Sequence, residues 1–95
     1  LSVYVIVVIE KVKDQNELAE YRRIGIPSLQ KTNVKFRVRP GPVEVLEGAP
    51  VEGVVMLEFP TLEEAKEWYN SPVYQEALKH RRIGAECHAL LVQGA

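Results

Sequence analysis

The sequence predicts an α+β fold: an antiparallel sheet with helices on one of its faces. Three observations carry that prediction. Two segments begin with Asp or Thr followed three positions on by Glu, the signature of a helix start. Runs rich in β-branched residues surround them, in the order strand, helix, strand, strand, helix, strand. The first run, "SVYVIVVIE", is apolar at both alternating sets of positions, so both faces of its sheet require cover.

In that first run Val3, Val5, Val7 and Ile9 point one way, and Tyr4, Ile6, Val8 and Glu10 the other. Asp14 is a good N-cap, and Glu17 completes its capping box. Leu18, Tyr21, Arg22, Gly25 and Leu29 then share one side of a helix. Pro27 predicts a break or kink near Gly25, with a short extra turn beyond it. "VKFRVR" alternates, with Val34, Phe36 and Val38 inward and Lys35, Arg37 and Arg39 outward or toward a cleft. "PGP", Pro40 to Pro42, bends the chain, and "VEVLEG" is expected to continue it as a second short strand. "VVMLEF" is another buried strand. Thr61 with Glu64 forms the second capping box, ahead of "LEEAKEWY". Ser71 followed by Pro72 restarts the helix, and "CHALLVQ" closes the chain as a strand.

This order, with the second strand bent or split, is the ferredoxin-like βαββαβ pattern. Two helical segments cover one face of the sheet. The apolar second face predicts a copy packed sheet against sheet, an isologous homodimer.

The totals narrow the function. Ninety-five residues fit one small domain spanning positions 1–95. A net charge of -1, from 12 basic and 13 acidic side chains, gives no pull toward nucleic acid or an anionic membrane. The longest apolar run, Val3 to Ile9, is far short of the roughly 20 residues that span a bilayer, and it lacks a basic leader. A lone cysteine, Cys87, forms no internal disulfide and fits a reducing compartment; the expected location is the cytoplasm. No phosphate loop or dinucleotide fingerprint is present, no cofactor is expected, and neither histidine has a metal-set spacing.

Four stretches, "YVIVVIE", "EYRRIGIPSL", "VRPGPVEVLEG" and "MLEFPTLEEAKEWYNSPVYQEALKHR", together resemble the DUF1330 family of the dimeric α/β-barrel superfamily. The resemblance spans nearly the whole chain with the motifs in order. It implies a ferredoxin-like protomer and a dimer whose two sheets form a barrel. Tyr4, Tyr21, Arg22, Pro27, Arg39, Glu47, Gly48, Glu58, Trp68, Tyr69, Ser71, Tyr74 and Arg81 stand where that family has like residues. Thr32 and Asn33 replace a glycine pair, "PGP" replaces a glycine-rich turn, and His80 and Arg82 lie outside the pattern. The family has no established function. The wider superfamily holds cofactor-free monooxygenases, haem-degrading and haem-dependent enzymes, an isomerase and stress-responsive proteins, so fold alone selects none of these.

The residues themselves suggest a cleft. Tyr74, Ala77, Leu78 and Arg81 fall on one helical face that should meet the sheet. The sheet edge where that helix ends is expected to gather Glu10, Arg39, Arg81 and His88, with Tyr21 as a wall. Arginine binds carboxylates bidentately and aromatic rings supply apolar walls, which suits a small organic or aromatic acid. Arg39, Arg81, Tyr21, Tyr4, Trp68 and Tyr74 are the candidate ligand-binding residues. Glu10, Tyr21 and His88 are the candidates for proton transfer if the protein is an enzyme without a cofactor. The competing readings are a non-catalytic dimeric module that binds a metabolite or partner, with structural arginines, and a haem protein using His80 or His88. An arginine at a helix C-terminus is also favourable by itself, by roughly 0.3–1 kcal/mol. Cys87 reads as a small core residue, and its neighbour His88 should point to the opposite face.

Overall fold

The computed structural model describes residues 1–95. Its elements run β1 (Val3–Val12), α1 (Gln15–Ser28), β2 (Lys35–Val38), β3 (Gly53–Phe59), α2 (Leu62–Tyr69), α3 (Pro72–Gly84) and β4 (Ala85–Gln93). The four strands form one antiparallel sheet in the order β2-β3-β1-β4. That is the ferredoxin-like arrangement, with the helices on one face.

The helices start where their caps place them. The Asp14 side chain accepts from the N–H groups of Asn16 and Glu17, Thr61 from Glu64, and Ser71 from Tyr74. Each bond satisfies an N–H that has no partner within its helix. Pro72 sits in the first turn of α3, where its missing N–H costs nothing.

Pro27 does not break α1, which runs through it to Ser28. Because Pro27 lies in the last turn, its ring removes one bond near the helix end. There the Ser28 hydroxyl donates to the Gly25 carbonyl, one of the carbonyls at the helix end, and the Leu29 N–H closes the helix on Ile26. The same Ser28 hydroxyl accepts from Trp68 Nε1 at 2.9 Å and so ties α1 to α2.

Residues 43–48, "VEVLEG", form no strand. They belong to the long connection between β2 and β3, which exposes Val43, Val45 and Leu46. β2 is therefore not split by a second strand, but it is irregular. Its register against β3 shifts between Phe36 and Val38. Phe36 sits opposite Leu57 on the helix side, whereas Val38 sits opposite Met56 on the other side. A bulge of this kind breaks the alternation that would have kept both on one face.

The core lies between sheet and helices. Val3, Val5 and Val7 from β1 meet Leu57 and Phe59 from β3, and Tyr74, Ala77 and Leu78 close over them from α3. Trp68 packs on Tyr74 at 4.1 Å between ring centroids and on Phe59 at 5.5 Å. The opposite face carries Tyr4, Ile6 and Val8 beside Val54, Met56, Leu90 and Val92. No element of the chain covers that face, and Leu90 and Val92 are half-exposed on it.

Candidate functional site

A cavity of about 530 Å³ lies between the sheet and the helices, at the end where β1 finishes and β4 begins. Its floor crosses all four strands, from Cys87 on β4 through Ile9 and Val55 to Phe36 on β2. Its walls include Tyr21 and Gly25 of α1, and Tyr74 and Arg81 of α3. The volume falls in the range of small-molecule sites. A second concavity, of about 590 Å³, lies by Leu1, Pro60 and Gln93; it is more open to solvent and holds none of the predicted site residues.

Helical periodicity explains the walls. Tyr74 and Arg81 are seven residues apart and so share the inward face of α3. Tyr21 faces them from α1, and its hydroxyl lies 2.9 Å from that of Tyr74. Burial, more than the neighbouring Tyr74, pushes the Tyr21 phenol far above its ordinary range, with Arg81 opposing weakly. Tyr21 is thus a neutral phenol at physiological pH, able to donate or accept a hydrogen bond but poorly suited to lose its proton.

Arg81 is the unusual group. It is 7% exposed, and its buried Nε has no hydrogen-bond partner. Its guanidinium lies 5.6 Å from the Tyr21 ring centre. Burial works against the charge, while Tyr74, Tyr21 and Cys87 favour it, and the net direction is upward from the ordinary arginine value. No carboxylate forms an ion pair with Arg81. A buried cation without an anion is costly, which distinguishes it from the ordinary helix-end arginine represented by exposed Arg82.

The cavity brings together five of the predicted residues: Arg39, Arg81, Tyr21, Trp68 and Tyr74. Arg39 sits at the mouth, its guanidinium 4.6 Å from the Phe36 ring centre. Glu10, His88 and Tyr4 are elsewhere. Glu10 and His88 pair with each other on the uncovered face of the sheet. Tyr4, opposite Glu58 and Val92, is also on that face. The expected gathering of Glu10 and His88 with the arginines therefore does not occur. Alternation along β1 sets Glu10 with Tyr4, Ile6 and Val8, and the register shift beside it, between Ile9 and Lys11, leaves it as an extra residue.

His80 is also engaged away from the cavity, with Nδ1 2.6 Å from Glu17 across α1 and α3. Cys87, Phe36 and Glu52 line the cavity without having been singled out for it. For Cys87 the signal was available, because alternation from outward His88 turns it inward. Glu52 gave no signal. Its carboxylate accepts from the Val12 N–H at 2.6 Å, a contact made only once β3 pairs with β1.

A family model described as "Domain of unknown function (DUF1330)" matches residues 2–95. No curated protein matches the sequence. Among solved structures, a protein of unknown function from Rhodopseudomonas palustris is similar at 19% identity and a TM-score of 0.77, over 99% of this chain and 82% of that one. A dimeric ferredoxin-like protein of unknown function from Jannaschia sp. CCS1 is similar at 11% identity and 0.73, over 99% and 100%. A mutant of SnoaB, a cofactor-independent oxygenase from Streptomyces nogalater, is similar at 10% identity and 0.63, over 98% and 91%. These likenesses share the fold.

Proposed function

The chain belongs to the DUF1330 family, so its activity has to be read from its own cavity, and we propose that it binds a small organic or aromatic acid between sheet and helices. The observation that carries this reading is Arg81: a buried guanidinium lining a largely apolar cavity, with an unpartnered Nε and no carboxylate of its own. A ligand carboxylate supplies the missing anion and can accept two N–H bonds at once. Tyr21 and Tyr74 offer hydroxyls beside it, and Trp68 and Phe36 offer flat apolar surface. The sheet's uncovered face supports assembly as a homodimer, in which Ile6, Met56 and Leu90 would be covered by a second copy.

Binding is favoured over turnover. Of the proton-transfer candidates, Glu10 and His88 lie on the uncovered face, and Tyr21 keeps its proton. A haem in this cavity would find no histidine to ligate it, because neither His80 nor His88 lines it.

The test is calorimetric titration with an aromatic carboxylate and its uncharged amide. The acid should bind at least tenfold more tightly than the amide, and Arg81→Gln should erase the difference. Equal binding of acid and amide to the unaltered protein would sink the reading.

A further inference from the structure

Arg39 and Arg81 line one cavity, but their surroundings lie at its two ends. Arg81 sits at the β4 side, against Tyr21 and in the same lining as Cys87. Arg39 sits at the β2 side, stacked on Phe36. In the sheet order β2-β3-β1-β4, Phe36 and Cys87 are on opposite edge strands. Three inter-strand spacings separate those edges, about 14 Å. That spacing between strand backbones is several times the roughly 2 Å between the oxygens of one carboxylate, so the two surroundings suit separate anionic groups.

Between the two ends the lining is apolar, with Ile9, Val55 and Leu57 on the floor and Tyr21, Gly25 and Trp68 above. Arg39 forms no ion pair. The other charged groups at the cavity are Arg22 of α1 and Glu52, just before β3. Glu52 already accepts from the Val12 N–H, so the basic groups outnumber the acidic one.

From this arrangement we infer that the ligand is an elongated two-ended acid, with one anionic group on Arg81, a flat apolar body across the sheet and a second anionic group on Arg39. The inference deepens the acid-binding reading and rests on it. It assigns the two arginines to different ends of the ligand. It also narrows the acids of the preceding reading to those long enough to reach both guanidiniums.

The test is calorimetric titration of the full chain with benzene-, biphenyl- and terphenyl-dicarboxylates and with the monomethyl ester of each. One diacid, of a length that reaches both guanidiniums, should bind at least tenfold more tightly than its monoester. Arg39→Gln should remove that advantage, bringing the diacid's affinity down to that of its monoester. Arg81→Gln should weaken diacid and monoester alike. If acids bind but diacid and monoester are equal at every length, the two-ended inference fails and the acid site stands. If the advantage persists in Arg39→Gln, the second anion binds elsewhere and the inference also fails. If no acid binds, both readings fail together.

Discussion

The hydroxyls of Tyr21 and Tyr74 lie 2.9 Å apart and join α1 to α3 above the cavity. Their rings meet edge to face, with centroids 6.1 Å apart and planes at 76°. The contact holds the two helices at a fixed separation over the sheet. It also leaves the Tyr21 ring facing the Arg81 guanidinium. A single tyrosine pair thus couples the two helices beside the buried cation.

Removing the Tyr74 hydroxyl tests that coupling. Tyr74→Phe keeps the buried ring and deletes one hydrogen bond, so stability should fall by about 0.5–1.5 kcal/mol. Denaturant titration checks this, with an unchanged slope expected because the fold is intact.

Alkaline pH tests the Tyr21 environment. The folded phenol holds its proton far above the ordinary value, whereas the unfolded phenol releases it near pH 10. The folded state then carries more protons than the unfolded one. The contribution of Tyr21 is complete below about pH 10 and declines as pH rises above it. Thermal melts across that range should show a shallower decline for Tyr21→Phe than for the unaltered protein.

Arg81 separates ligand binding from scaffolding. Arg81→Met retains most of the side-chain volume and removes a buried charge that no carboxylate answers. Melting temperature should stay level or rise, while carboxylate binding is lost. A drop in melting temperature with binding intact would make Arg81 a structural residue.

Gly84 marks a close approach of α3 to the start of α1. Its carbonyl accepts from the N–H groups of Lys13 and Asp14 at 2.7 and 3.0 Å. A Cβ there would stand 2.9 Å from Leu18 Cδ2 and 3.1 Å from the Asp14 carbonyl oxygen. Gly84→Ala should therefore cost about 1–3 kcal/mol, read by chemical unfolding.

The uncovered sheet face is tested by placing a charge in it. Leu90 is 50% exposed and sits opposite Ile6. Leu90→Lys should convert a dimer to a monomer in native mass spectrometry, because a lysine at the centre of an apolar interface is left unpaired. A parent protein that is monomeric at the outset would remove the basis for the dimer.

Much of the fold was legible because its signals are local. Asp14, Thr61 and Ser71 cap their helices by bonding N–H groups two or three residues ahead, a relation the sequence states directly. Alternation likewise sorts Val3, Val5 and Val7 onto one face of β1 and Tyr4, Ile6 and Val8 onto the other, but both sets are apolar, so the side the helices cover was not legible there. "VEVLEG" misled because β-branched residues favour a strand without supplying a partner, and no strand pairs with it. Pro27 misled because its cost depends on how near the helix end lies.

The candidate site divides in the same way. Spacing alone placed Tyr74 and Arg81 on one face of α3, since a helix fixes its own geometry. Membership of the cavity was set by pairing between distant segments. The β1–β4 register sends Cys87 inward and His88 outward to meet Glu10, and the shift in β2 turns Val38 away from Phe36. The sequence by itself determined the element order, the helix starts and which residues share a face within each regular segment. The tertiary structure alone decided which of those faces share a cavity, because a one-residue shift in pairing reverses the side a strand residue faces, and the energy choosing that register belongs to contacts far apart in the chain.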